Sequence, residues 1–256
     1  MTEERIKVVM EDSVALIIFQ GRGELNLLDR ELMLELGETL EALKASFRQR
    51  IVVLRGYGER AFSAGVDVRK MKEFTPTEAE DFILCLHSVM RRIMTLPQPV
   101  IASVVGPCLG GALELALACD LRIADENAFF GLPEIRVGIP SVIEASLLHR
   151  FIGLGRAREL ILTGDTIDAK EAWRLGLVNR LVPREKLEEE TMKIAKRFLR
   201  LSPLILSAQK DIFDKWLNLG EEEGAQYSAK AFALCFATHH PREGMEAFLE
   251  KREPSY

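Results

Sequence analysis

Short apolar runs alternate along this chain with stretches in which apolar residues recur every three or four positions. Val14–Phe19, Ile51–Leu54, Val100–Val105 and Leu121–Ala124 are bounded by turn residues and read as strands. Between them, Leu32–Phe47 and Glu78–Met94 carry helical periodicity. That alternation predicts an α/β layout with largely parallel pairing. After about Val182 the pattern changes. Lys186–Leu201, Pro203–Leu217, Glu222–Phe236 and Arg242–Arg252 are all helical in period, and Pro203 suits a first helical turn. An α/β core at residues 1–195 is therefore expected, followed by a helical C-terminal region at 196–256. Neither repeats nor a low-complexity linker occur, so the two parts should pack closely.

Composition narrows the function classes. At 256 residues and 48% hydrophobic, the chain can bury a sizeable core in one large domain or a domain with a helical appendage. Its net charge is −5, and the first amphipathic helix sets Glu31, Glu35, Glu38 and Glu41 against Lys44. Such a face repels phosphate backbones, so neither nucleic acid nor an anionic membrane is an expected partner. The start, MTEERIKVV, has no apolar h-region, and no apolar run is long enough to span a bilayer, so a cytoplasmic protein is expected. Cys85, Cys108, Cys119 and Cys235 form no CxxC pair and read as reduced, small hydrophobes. The four histidines lack ligand spacing, so no metal site is expected, and GxSxG is absent. The fragments GRG at Gly21 and GYG at Gly56 lack the rest of a dinucleotide fingerprint and read as turns.

Three segments combine residues in unusual ways. In Gly110–Asp120, Glu114 is one carboxylate inside an otherwise apolar helix, and Arg92 and Arg122 lie outside its i±3 and i±4 neighbourhood. Burial should raise its pKa, as acid/base chemistry near neutral pH requires. Gly110 and Gly111 let backbone approach a ligand where a helix presents free N–H groups. A glutamate meeting a distant arginine or buried water is the structural alternative. The second segment, Ala61–Val68, holds small residues at Ser63, Ala64 and Gly65, suited to close approach by a ligand or to an ordinary strand-to-helix turn. In the third, Phe130–Pro140, Glu134 sits in a loop dense in glycine and proline, with Arg136 as a possible surface partner.

AFSAGVDV, PVIASVVGPCLGGALELALACD, FFGLPEIRVGIP, GDTIDAKEAWRLGLVNRLVP and the tail EGMEAFLEKREP resemble, in order and spacing, the enoyl-CoA hydratase/isomerase (crotonase) family. The resemblance spans about Val14 to Pro254 and implies a crotonase-like spiral of ββα units with a helical C-terminal trimerisation region. It implies an oxyanion hole made by the backbone N–H groups of Val66 and Gly111. It also implies that Glu114 and Glu134 hold a water for syn addition to a 2-enoyl-CoA thioester, with Glu134 the proton donor to Cα. Ser63, Ala64, Val66, Asp67, Arg69 and Gly111, with Lys251 from the C-terminal end, are the implied substrate and CoA contacts. Lys70 is a further candidate for phosphate. A homotrimer or homohexamer is implied, with no cofactor beyond the CoA of the substrate.

The chain also departs from the family pattern. Where many hydratases read Gly-Ala-Gly-Gly-Thr-Gln after the proline, this one has Ser141-Val142-Ile143-Glu144-Ala145-Ser146. Val142, Ile143 and Glu144 should fill space near the acyl pocket and favour small or specially shaped acyl groups. Glu144 is a third acidic candidate, or else a helix-surface glutamate near Arg150. Other expected readings are an enoyl-CoA isomerase, hydrolase or decarboxylase. A non-catalytic acyl-CoA- or RNA-binding relative is a different class, disfavoured by the carboxylate pair and the acidic first helix.

Overall fold

A computed structural model of the chain describes residues 5–46 and 48–256. Residues 1–4, and Phe47 at the expected end of the first helix, lie outside the described residues. The chain begins with a hairpin of β1 (Ile6–Glu11) and β2 (Val14–Phe19). Helix α1 (Arg30–Ala45) leads to β3 (Ile51–Gly56), parallel to β2. The short α2 (Val68–Met71) and long α3 (Pro76–Thr95) lead to β4 (Val100–Val104), parallel to β3. Next come β5 (Pro107–Leu109), α4 (Gly111–Ala118), β6 (Leu121–Asp125) and β7 (Phe129–Gly131). They are followed by α5 (Leu148–Ile152), α6 (Leu154–Thr163), β8 (Thr166–Asp168), α7 (Ala169–Arg174) and β9 (Arg180–Val182). Helices α8 (Leu187–Leu199), α9 (Pro203–Asn218), α10 (Glu221–Cys235) and α11 (His240–Glu250) complete the chain. The strands form one sheet ordered β1-β2-β3-β4-β6-β9 and a smaller one ordered β5-β7-β8.

The mixed α/β architecture expected from the sequence is observed, and its central strands explain why they were legible. β3 and β4 are buried on both faces, and parallel strands of this kind read as continuous apolar runs. One face of the sheet packs against α1 and α3. Helix α1 buries Leu32, Met33, Leu36, Leu40 and Leu43, and Asp29 caps it by accepting from the Leu32 N–H. Burial pushes the Asp29 carboxyl up, but hydrogen bonds from Arg5, Leu32 and Arg22 outweigh it and bring the pKa down to about 2. Helix α3 starts with a capping box, Thr75 to Glu78, and touches α1 where the Arg92 guanidinium donates to Gly37 O at 2.9 Å. The opposite face of the sheet carries α8, around Val14, Ile51, Val53, Ile101 and Ile123.

Two differences from the expected layout have simple causes. Strand β1 was not read because only Ile6 among its residues is buried, and the edge alternates with Lys7 and Glu11. Strands β5, β7, β8 and β9 span three residues each, too few for a period to emerge. The boundary expected at 195/196 falls inside α8, whose buried Ala195 belongs to the sheet's second apolar cluster. The helical end is tied to the core by charge. Lys210 Nζ on α9 donates to Asp120 Oδ2 at 2.7 Å and to Gln98 O at 2.9 Å, and Arg91 pairs with Asp214 at 3.0 Å.

Candidate active site

Every residue of α4 from Gly111 to Ala118 is buried, which suits its run of alanine and leucine and isolates Glu114. That side chain is 4% exposed, and its Oε1 accepts from the Ala145 N–H at 2.9 Å. Burial pushes the Glu114 pKa up to about 8; the Ala145 N–H opposes this, and the charges of Glu134 and Glu144 add to it. The distant arginine does not neutralise it. Arg122 is 1% exposed and donates to Ala116 O, Cys119 O and Leu177 O at 3.0, 2.8 and 2.7 Å, with its guanidinium 4.4 Å from the Phe151 ring centroid. It therefore serves the C-terminal, negative end of α4, away from the carboxylate.

Glu134 lies on a single 3-10 turn, Pro133–Val137, that brings it to the start of α4. Its Oε2 accepts from the Ser141 hydroxyl at 2.8 Å. Gly110 precedes α4 at φ +57, and a Cβ there would stand 2.7 Å from Glu134 Oε1. Glycine is thus required for conformation and for the carboxylate alike. The surface pairing of Glu134 with Arg136 does not form: Arg136 forms an ion pair with Asp165 instead.

Val66 and Gly111 line the same space. Among the described residues, neither the Val66 N–H nor the Gly111 N–H donates within the protein. A Cβ on Gly111 would lie 3.3 Å from Val66 Cγ2 and 3.9 Å from Glu114 Oε2, so the three groups converge. Gly65 makes the approach possible at φ +91, where a Cβ would stand 2.8 Å from Leu109 O. Ser63 is fully buried; its hydroxyl accepts from the Gly65 N–H at 3.1 Å, its N–H donates to Pro107 O and its carbonyl accepts from Leu109 N–H. It stitches the loop to β5 through its backbone N–H and carbonyl.

Val66, Gly111, Glu114 and Glu134 line one cavity of about 190 Å³, together with Ala64 and Val142. Its remaining wall is largely apolar: Met71, Ile83 and Leu86 from α2 and α3, and Val137 and Ile139 beside Glu134. Sequence reasoning missed Ile83 and Leu86, although the apolar stripe of α3 contains both. It also missed the Ser141 hydroxyl and His87. Asp67 is buried, caps α2 and binds the exposed Arg69 at 2.9 Å, while Lys70 approaches Glu31 at 3.9 Å. Lys251 is exposed at the end of α11 and is not among the described residues lining the cavity. Glu144 departs most from expectation. It is not a surface glutamate near Arg150 but 4% exposed, 2.9 Å from His87 Nδ1. Burial raises its pKa, and the neighbouring His87 pulls the other way. Ile143 beside it is half-buried against the main core.

A carboxylate pair beside two free N–H groups can move protons on a substrate while its developing oxyanion is stabilised. Comparison with known proteins shows the family to which the chain belongs. Residues 9–256 match the family described as Enoyl-CoA hydratase/isomerase. The crotonyl-CoA hydratase of Syntrophomonas wolfei is 37% identical over 257 residues, covering 100% of this chain and 99% of its own. A short-chain-enoyl-CoA hydratase of Clostridium acetobutylicum is 34% identical, with 95% and 94% covered. Among solved structures, an enoyl-CoA hydratase from Bacillus anthracis superposes with a TM-score of 0.93 at 35% identity, covering 99% of both chains.

Proposed function

The chain belongs to the enoyl-CoA hydratase/isomerase family, and on that premise we propose that it is an enoyl-CoA hydratase. It adds water in the syn sense across the 2,3-double bond of a 2-enoyl-CoA thioester and releases a 3-hydroxyacyl-CoA. The observation that carries this reading is that Glu114 and Glu134 line one cavity with Val66 and Gly111. The N–H groups of Val66 and Gly111 stabilise the enolate oxygen formed as oxygen adds at Cβ. Hydration needs one carboxyl protonated and one ionised. With Glu114 raised to about 8, the pair retains one proton through neutral pH, and that proton belongs to the pair. Glu134 delivers it to Cα while Glu114 takes the proton that the water loses; the pair still holds one proton, now on Glu114, and its passage back to Glu134 resets the site for the next turnover.

The apolar wall of Ile83, Leu86 and Val142 supports an acyl chain next to the carboxylates, and the bulk of Val142 in that wall supports a short one. Ser63, Ala64, Val66, Asp67, Arg69, Gly111 and Lys251 remain the proposed substrate and CoA contacts. Homotrimers or homohexamers in the cytoplasm are part of the same reading. Exposed Phe232, Leu234, Phe248 and Leu249 on α10 and α11 support assembly, Phe248 being 82% exposed. The reading is tested by the rate at which crotonyl-CoA loses its enoyl absorbance, with product analysis to separate hydration from isomerisation. Glu114→Gln and Glu134→Gln should each slow hydration by roughly 10²–10⁴-fold. A near wild-type rate in either variant would overturn it.

A further inference from the structure

The turn that replaces the glycine-rich stretch is strained at one residue, anchored at the next and functional at the third. Ile143 adopts φ +41, a region that a residue branched at Cβ rarely enters. No side chain caps this turn at Val142. Glu144 then leaves solvent, and its Oε1 shares a hydrogen bond with His87 Nδ1 at 2.9 Å, from α3 across the cavity wall. Its other oxygen has no hydrogen-bond partner among the described residues. Ala145 follows, with one N–H shared between Val142 O at 3.0 Å and Glu114 Oε1 at 2.9 Å. Besides the Ala145 N–H on Glu114, the segment has one further long-range polar tie among the described residues, the side-chain contact between Glu144 and His87. Around that contact stand Arg91, itself paired with Asp214, and the Glu114 carboxyl.

We propose that His87 and Glu144 are positioning residues that latch the Val142–Ala145 turn with Ile143 at its positive φ and so keep the Ala145 N–H on Glu114. Glu144 is not among the residues lining the cavity, so it acts through Ala145 and not on the substrate. Without the latch, Ile143 relaxes towards an ordinary backbone conformation and Ala145 swings off the carboxylate. A glycine at position 143 tolerates the left-handed region without help. The latch and the strain are therefore linked, and removing both should undo most of the damage.

This inference rests on the hydratase reading for its kinetic consequence but not for its structural one, and the test uses both. His87→Ala should lower kcat for crotonyl-CoA about tenfold, as expected for one lost hydrogen bond to a carboxyl, with KM changed less than about twofold. The amide of Ala145 should exchange with solvent at least about tenfold faster. His87→Gln, which keeps a donor towards Glu144, should remain close to wild type in both measurements. Adding Ile143→Gly to His87→Ala should recover kcat and amide protection to within about threefold of wild type. The latch is overturned if His87→Ala leaves Ala145 protection unchanged, or if the double variant is no better than the single one. If the wild-type chain hydrates no enoyl-CoA, the hydratase reading fails, and amide exchange still judges the latch.

Discussion

In α4, eight consecutive residues are buried, the backbone is regular, and the single carboxylate is the exception. In the Val142–Ala145 turn the backbone is the exception, with a β-branched residue at positive φ and a carboxylate taken out of water. The two regions meet at one hydrogen bond, from Ala145 N–H to Glu114. Helix α4 takes its conformation from its own composition and from Arg122 at its far end. The turn takes its conformation from His87, 57 positions away from Glu144. Order that comes from composition is secured locally, whereas order borrowed from a distant side chain can be lost by changing that side chain alone.

The comparison can be broken most forcefully from the α4 side. Arg122→Met removes the donor to three buried carbonyls and should destabilise the fold by about 3–5 kcal/mol, read as a lower urea midpoint. An unchanged midpoint would show that α4 does not depend on its far end. Gly110→Ala acts on the carboxylate beside the helix start. A methyl group 2.7 Å from Glu134 Oε1 must push that group aside, so hydration should fall about 10²-fold. Retained activity would mean that Glu134 works from another position.

A third effect concerns pH. The folded Glu114 pKa of about 8 lies above its ordinary value of 4.5, so the stability linked to its proton is complete below about 4.5 and is lost as pH rises through 8. Glu114→Gln lacks this loss. It should be more stable than wild type at pH 8 by roughly 2–4 kcal/mol relative to the difference at pH 4.5. Parallel stability curves for the two proteins would refute the raised pKa. The smallest effect belongs to the Ser141 hydroxyl: Ser141→Ala should reduce hydration by no more than about tenfold, the scale of one hydrogen bond. A larger loss would make Ser141 a principal support of Glu134.

The central strands, the two long core helices and the four C-terminal helices were legible because each is long enough to repeat its pattern and buries a continuous face. The positions of Glu114 and Glu134 were legible too, since an acid in an apolar helix and a glutamate in a Gly/Pro loop are locally unusual. What escaped depends on contacts between distant residues. His87 reads as an ordinary helix residue until Glu144 arrives from 57 positions away. The role of Ser63 in tying its loop to β5, through its N–H on Pro107 O and the Leu109 N–H on its carbonyl, likewise appears only once the distant strand is in place. Nor does any local pattern announce a positive φ at Ile143.

Asp120 sets an order of events for a chain being made. Its Oδ2 accepts from the Val100 N–H at 2.6 Å, 20 positions earlier, and from Lys210 at 2.7 Å, 90 positions later. Chains emerge from the ribosome N-terminus first, so β4, α4 and β6 are available well before α9. Until Lys210 emerges, the carboxylate that fastens the start of β4 has lost its cation. A nascent chain halted ahead of α9 thus carries Glu114 and Glu134 on a sheet whose entry is held by an Asp120 carboxylate that still lacks its cation.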